Sequence, residues 1–273
     1  MANQKIKISI CQTNSTDNLE SNKSQMLSLL DQSVSGGAEI VFFPENCLYM
    51  RIKEGEKIPG LHLNDKSIQE ISNYAAKKNI AVHLGSVPLW MDGKLYNSSI
   101  FITSDGQVVP SYQKLHLFDI ELEGQAPIRE SDIFAHGDKP SILKFQDWLF
   151  GQTICYDIRF SELYHFYAKA HVDAILVPAA FLVKTGQAHW EVLLRARAIE
   201  SQCYIVAAAQ AGVHLGKDGG QRETYGRSMI IDPWGHILAE TKTDKPQVLI
   251  MELERQNIEL VRRQIPMKNH RRL

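Results

Sequence analysis

Apolar segments of strand length alternate with longer amphipathic ones along this chain. Ile6 to Cys11 reads as a strand, and from Asn18 to Val34 the residues Leu19, Met26, Leu27, Leu29, Leu30 and Val34 fall at helical spacing before Gly36-Gly37 ends the helix. Ala38 to Phe43 is a near-continuous apolar run stopped by Pro44, the pattern of a strand covered on both faces. Asp65 stands at a capping position for a helix to Lys78, which leads to a strand from Ile80 to Val87. The opening is therefore β-α-β-α-β.

Two hairpins follow in the pattern. Tyr96 to Thr103 turns at Asp105-Gly106 into Val108 to Lys114, and Ile142 to Phe145 turns near Asp147 into Leu149 to Cys155. Helical periodicity over Phe160 to Ala170 and Ala188 to Gln202 flanks a strand from Ala174 to Pro178. Further strands are expected at Tyr204 to Ala209, Tyr225 to Ile231, His236 to Glu240 and Gln247 to Glu252. So many strands with several helices predict two sheets packed face to face with helices outside, because a single sheet of this width is less common. No repeat, linker or low-complexity run divides the chain, so residues 1–273 are expected to form a single α/β domain.

Composition narrows the classes. With 44% hydrophobic and 22% charged residues the chain has the apolar content of an ordinary globular protein. Its 30 Lys and Arg against 31 Asp and Glu leave no basic excess for a phosphate backbone, so nucleic acid is not an expected partner. The basic residues Arg262, Arg263, Lys268, His270, Arg271 and Arg272 read as a solvated or subunit-contacting end. No apolar run approaches the roughly 20 residues that span a bilayer, and the first ten residues lack the order of charged, apolar and small residues of a leader. Cysteines at 11, 47, 155 and 203 form no C-x-x-C pair and no zinc-type spacing with histidine, which fits reduced thiols in a cytoplasm.

Three residues at strand ends carry candidate chemistry. In Gly151-Gln-Thr-Ile-Cys-Tyr-Asp-Ile-Arg-Phe160 a buried strand runs out at Cys155 just before a helix, where open α/β proteins place ligands. A nearby cation and helix N-terminus would lower the thiol pKa and populate a thiolate; taken alone, Cys155 also reads as a small buried hydrophobe. Glu45 follows Ile40-Val-Phe-Phe43-Pro44, and Lys114 closes Val109-Pro-Ser-Tyr-Gln113, so the two read either as a buried ion pair or as part of a site. Amide hydrolysis through a thioester needs a nucleophile, a base that takes and returns a proton, and a stabiliser for the oxyanion. Cys155, Glu45 and Lys114 offer one candidate for each, with the backbone N–H of Tyr156 as a second oxyanion donor.

These segments resemble a known family. Pro44-Glu45, Lys114-Leu-His-Leu-Phe-Asp119 and Ile154-Cys155-Tyr-Asp-Ile-Arg-Phe-Ser-Glu-Leu163 are similar to the Glu, Lys and Cys signatures of the carbon-nitrogen hydrolase, or nitrilase, superfamily, as are His189 to Glu200 and Tyr225 to Gly235. The resemblance implies a four-layer α-β-β-α sandwich, dimeric or larger, with neither metal nor cofactor. It further implies that Glu45 is the general base, Lys114 the oxyanion stabiliser and Cys155 the nucleophile, with a second glutamate holding the lysine. Glu130, in Gln125-Ala-Pro-Ile-Arg-Glu-Ser131, fits that place better than Glu121.

The loop Gly124 to Ser131, with Pro178-Ala-Ala-Phe181 and Thr185-Gly-Gln-Ala-His-Trp190, is most similar to the deaminated glutathione amidases. That implies a small carboxylate-bearing amide as substrate, with ω-amidase action on α-ketoglutaramate-type amides, N-carbamoyl amine hydrolysis and a silent binding scaffold as alternatives. A substrate carboxylate needs a cation in the crevice. Arg159 and Arg129 are the candidates, Arg159 otherwise holding Asp157; Phe181 and Thr185 are candidate pocket walls. His116 and His189 read as hydrogen-bonded packing residues, and Trp190 and Trp234 as core or interface anchors.

Overall fold

The computed structural model describes residues 4–53, 55–121 and 127–272; Gly124, Gln125 and Ala126 of the loop preceding Glu130, like the first three residues of the chain, lie outside them. The chain runs β1 (Lys5–Gln12), α1 (Leu19–Ser35), β2 (Ile40–Phe42), α2 (Lys66–Lys78), β3 (Ala81–Met91), β4 (Lys94–Ile102) and β5 (Val108–Gln113). The short pair β6 (Asp119–Ile120) and β7 (Ile128–Arg129) precedes β8 (Ile142–Phe145), β9 (Trp148–Gln152), α3 (Ser161–Lys169), β10 (Ala174–Leu176), α4 (Val183–Ser201) and β11 (Tyr204–Ala207). The last part holds β12 (Ala211–Leu215), β13 (Gln221–Tyr225), β14 (Met229–Ile231), β15 (Ile237–Glu240), β16 (Gln247–Glu254), α5 (Arg255–Gln264) and α6 (Met267–His270).

Two six-stranded sheets result, with orders β16-β1-β2-β3-β4-β5 and β15-β14-β11-β10-β9-β8. Successive side chains of a strand point to opposite faces, and that alternation sorts the apolar residues into layers. Ile8, Ile10, Ile40 and Phe42 of the first sheet pack against Phe150, Ala174, Leu176 and Val206 of the second. Cys11, Val41, Val82 and Leu84 face the other way, onto Met26 and Leu30 of α1 and Ile68 and Ile71 of α2. On the far side Ile175, Ile205 and Ile231 meet Tyr167 of α3 and Trp190 and Leu194 of α4. The layers are therefore α-β-β-α, the arrangement expected of a nitrilase-type sandwich.

Strand direction decides where chemistry can sit. Strands β1, β2 and β3 are mutually parallel and β3-β4-β5 is an antiparallel meander, so β2 and β5 end at the same edge of their sheet. In the second sheet β9, β10 and β11 are parallel. The segments that leave β2, β5, β9 and β10 lead to Glu45, Lys114, Cys155 and Phe181.

Several local readings need correction. Strand β3 runs on to Met91, past the expected end at Val87, with Pro88 paired to Asn97, and turns at Asp92-Gly93 with φ of 50° and 75° into β4, a hairpin absent from the reading of the pattern. The expected strand Tyr225 to Ile231 is split, since Gly226 and Arg227 adopt φ of 73° and 57° and turn the chain from β13 into β14. Helix α4 begins at Val183 rather than Ala188. Its Gly186 lies under the Tyr225 ring, where a Cβ would come within 2.3 Å of Cγ. Asp65 does precede α2, but its carboxylate accepts from the N–H of His62 at 2.9 Å and not from the helix. The basic C-terminus is partly built into the body: Arg262 donates to the carbonyls of Val172 (2.7 Å) and Gln202 (3.2 Å), and Arg271 to that of Glu200 (2.8 Å). Among the described residues no helix is long and apolar enough to cross a membrane, and all four cysteines are free.

Candidate active site

Glu45 is positioned by close packing of backbone. Gly85, where the β3-β4 register shifts, lets the end of β2 approach so nearly that an added Cβ would meet the Phe43 carbonyl oxygen at 2.1 Å. Ser86 then donates its N–H to the Pro44 carbonyl at 3.2 Å, and Gln210 donates to the Glu45 carbonyl at 2.9 Å. On the neighbouring meander Lys114 follows β5, its N–H bonded to the Asn97 carbonyl at 3.0 Å.

The two side chains meet in a buried ionic network. Lys114 Nζ donates to Glu45 Oε1 at 2.9 Å and to Glu130 Oε2 at 2.8 Å, with the lysine only 2% exposed. Asn97 Nδ2 bridges the same two carboxylates, at 3.0 Å from Glu45 and 2.8 Å from Glu130. Glu45 Oε2 accepts the N–H of Ala180 at 2.9 Å, and Glu130 Oε2 that of Phe118 at 2.7 Å. Two of the three ammonium protons are thus committed to carboxylates and the third is available. Glu130 is the glutamate in contact with Lys114, while Glu121 is exposed.

Cys155 enters from the second sheet. Its φ of 47° is a left-handed conformation for a residue with a Cβ, held by its N–H bonding to the Pro178 carbonyl at 2.8 Å. A single 3-10 turn, Cys155–Arg159, follows, closed by the Asp157 N–H on the Ile154 carbonyl at 3.1 Å. Asp157, fully buried, fastens this turn to the Lys114 segment by accepting from Ile154 N (2.8 Å), Tyr112 Oη (2.8 Å) and His116 N (3.0 Å), with His116 Nδ1 at 2.7 Å. His116 also stacks on Phe160 at 3.6 Å, a packing role as expected. The alternative that Arg159 holds Asp157 is therefore wrong: Arg159 lies over the rings of Tyr156 and Phe181, with His189 Nδ1 3.3 Å from it.

Electrostatics fix the resting protonation state. Burial pushes the Cys155 thiol up, the Glu45 charge adds to that, and Lys114 only partly offsets them, so the thiol stays well above its ordinary 9.0. This overturns the expectation of a resting thiolate. Burial would raise Glu45 too, yet the Lys114 ammonium and the hydrogen bonds from Lys114, the Cys155 thiol and Asn97 hold it below its ordinary 4.5. Lys114 is lowered by burial but raised further by Glu130 and Glu45, and so remains charged. A protonated thiol beside an ionised carboxylate is the dominant form between those limits. Expected from this is a kcat/KM that changes less than about twofold from about pH 6 to about pH 8, its acid limb falling below the ordinary glutamate range. A stopped-rate pH profile checks it; a bell centred near neutrality would contradict these assignments.

Around the trio lies a cleft enclosing about 760 Å³, part of it open to solvent, with Tyr156, Arg159, Phe181 and Thr185 on its walls. Thr185 stands in the first turn of α4. Arg129 is not there: it is exposed and lines a neighbouring depression with Glu56 and Asp132. Sequence reasoning missed four contributors, namely Asn97, the Ala180 N–H, Arg51 and Arg222. Of these, only Asn97 left a trace, as a polar residue in a strand otherwise expected to be covered.

The model of the family described as carbon-nitrogen hydrolase matches residues 7–263. The chain belongs to the carbon-nitrogen hydrolase family. It is a cysteine-dependent amidohydrolase of the nitrilase superfamily, acting on carbon-nitrogen bonds and related to the deaminated glutathione amidase branch. It is 36% identical over 266 residues to a deaminated glutathione amidase of Synechocystis sp., covering 95% of this chain and 96% of that protein. With the enzyme of that name from Homo sapiens it shares 35% over 275 residues, 97% and 82% of the two chains. Among solved structures it matches the Caenorhabditis elegans NitFhit protein with a TM-score of 0.88 and 33% identity, over 100% of this chain and 66% of that longer one. Saccharomyces cerevisiae Nit3, described as a member of branch 10 of the nitrilase superfamily, matches with a TM-score of 0.85 and 28% identity, over 100% and 98%.

Proposed function

We propose that this enzyme hydrolyses the amide bond of a small carboxylate-bearing acid, best a 2-oxo acid amide such as deaminated glutathione, through a thioester on Cys155. The observation that carries the reading is the meeting of Glu45, Lys114 and Cys155 beside Arg159 in one cleft. Glu45 takes the thiol proton as sulfur attacks the amide carbonyl carbon. The oxyanion forms beside the uncommitted Lys114 proton and the Tyr156 N–H, which are worth most in a site closed to water. Collapse breaks the carbon-nitrogen bond, and Glu45 returns the proton to the departing amine. Water, deprotonated by the same carboxylate, then attacks the thioester carbonyl, and the acid leaves as the thiol regains its proton.

Arg159 supports the choice of a carboxylate-bearing acyl group, since its guanidinium sits on the cleft wall beside Phe181 and Thr185. Amides of the α-ketoglutaramate type fit the same contacts, and the names of the relatives favour the deaminated glutathione reading over them. A panel of 2-oxo acid amides, ureido acids and nitriles, followed by amine or ammonia release, tests the proposal. Release is expected from the 2-oxo acid amides, with an acyl adduct on Cys155 in acid-quenched samples examined by mass spectrometry. A carbamoyl adduct, or turnover of ureido acids alone, would reject the amidase reading.

A further inference from the structure

The basic C-terminal segment closes a recess at the far end of α3. Lys169 ends that helix and His171 follows it, while Arg262 of α5, Lys268 of α6 and Arg271 complete the wall. The recess encloses about 990 Å³, part of it open to solvent, and shares no lining residue with the cleft of Cys155. Among the described residues no carboxylate lines it, and no aromatic ring other than that of His171.

Helix capping accounts for only part of this charge. Helices α3 and α4 both end here, and Arg262 and Arg271 donate to the carbonyls of Val172, Gln202 and Glu200. A helix C-terminus carries roughly half a negative charge, so the two together offset about one of the four positive charges of Lys169, Arg262, Lys268 and Arg271. The carboxylates nearby are engaged elsewhere: Glu200 accepts from Arg197 at 2.8 Å, and Asp173 pairs with Arg255 at 3.1 Å. Among the described residues none of the four cations lies within ion-pair distance of a carboxylate. Burial pulls the Arg262 guanidinium below its ordinary value, and burial together with Arg262, Lys268 and Arg271 does the same to His171, so the imidazole is neutral at pH 7. His171 Nε2 is buried without a hydrogen-bonding partner, and a polar atom so placed calls for one.

Cations gathered in one recess repel one another, and a bound anion removes that repulsion. The shape selects a compact guest. A concave site on a chain of net charge -1 is poorly matched to an extended nucleic-acid backbone, and the wall offers little on which a base could stack. We propose that this recess binds a small polyanion carrying three or more negative charges, of the pyrophosphate or tricarboxylate kind. Lys169 and Lys268, both exposed, hold the anion from the rim, and the partly buried Arg262 and His171 Nε2 meet it from within. Because Arg262 joins α5 to the ends of α3 and α4, an anion held there also stabilises the folded chain.

Calorimetric titration of the full chain with pyrophosphate and, separately, with citrate tests the site, in about 0.15 M NaCl without divalent cations, so that loose surface attraction is screened. Wild type is expected to bind at least one of the two with Kd below about 1 mM. Lys169→Gln/Lys268→Gln should weaken that binding about tenfold, about threefold for each exposed ammonium. Neither lysine makes a hydrogen bond or ion pair among the described residues, so the melting temperature without ligand and the amidase turnover should stay unchanged. Lys139→Gln/Lys144→Gln, which alters the net charge equally at exposed positions elsewhere, should leave Kd within about twofold. Binding of pyrophosphate alone, of citrate alone or of both supports the site and assigns its ligand to phosphoryl, carboxylate or general polyanion chemistry. Kd above about 1 mM for both anions, a loss of less than about threefold in Lys169→Gln/Lys268→Gln, or an equal loss in Lys139→Gln/Lys144→Gln overturns it.

Discussion

Cys155→Ala is expected to lower amide turnover by about 10⁴-fold or more, because the groups of a nucleophilic unit act together and the remaining carboxylate and ammonium have nothing to activate. The substitution removes one sulfur atom and leaves the left-handed backbone bond to Pro178 in place. Alanine tolerates that conformation no worse than cysteine, so the melting temperature should change little. Substrate binding should survive, which allows the loss to be placed in kcat by measuring turnover and ligand binding on the same preparation. Turnover within tenfold of wild type would mean that the thioester route is wrong.

Lys114→Met is expected to be severe in two respects. Turnover should fall by at least about 10³-fold through loss of oxyanion stabilisation and of the charge that keeps Glu45 ionised. Stability should fall by about 3–5 kcal/mol, the usual consequence of leaving buried carboxylates without their counter-charge. In wild type, Glu45 has a lowered pKa, so its contribution is present above the unfolded carboxylate range and is lost as pH falls through the folded value. Without the ammonium, burial dominates and the folded pKa rises, so the variant should instead gain stability relative to wild type as pH falls from 8 towards 5. Urea denaturation at both pH values measures the reversal. Adding Glu130→Gln should restore part of the stability and none of the turnover, since it removes one of two like charges but supplies no cation.

The parts of the structure that were legible in the sequence are those in which local pattern and burial agree. Ile40 to Phe42 is covered on both faces and shows as an unbroken apolar run, while α1 and α2 show one apolar stripe each. The ends of those strands pointed to Glu45, Lys114 and Cys155 because a charged or reactive residue closing an apolar run is conspicuous. The β12-β13 hairpin was missed because it joins neither large sheet and its residues alternate weakly, with Val213, Leu215, Gln221 and Glu223 exposed. Helix α5 was missed because its buried side is narrow, Ile258 and Val261. The thiol's protonation was misjudged for a different reason: the sequence pointed to a nearby cation, but not to an ionised glutamate beside a largely buried sulfur. Arg129 and Arg51 illustrate the remaining limit: both line the neighbouring depression, but only Arg51 also reaches the cleft, a difference that tertiary packing sets and local pattern does not show.

Asp157 ties the turn of Cys155 to the segment of Lys114 through three polar contacts, and Glu45 is fixed by the backbone around Gly85 and Gln210. Arg51 and Arg222 hang on a loop and a hairpin outside that scaffold. Changes in these peripheral segments can therefore reshape the cleft wall without disturbing the reacting atoms. Such modularity gives a physical route by which descendants of one hydrolytic machine come to serve unlike metabolites.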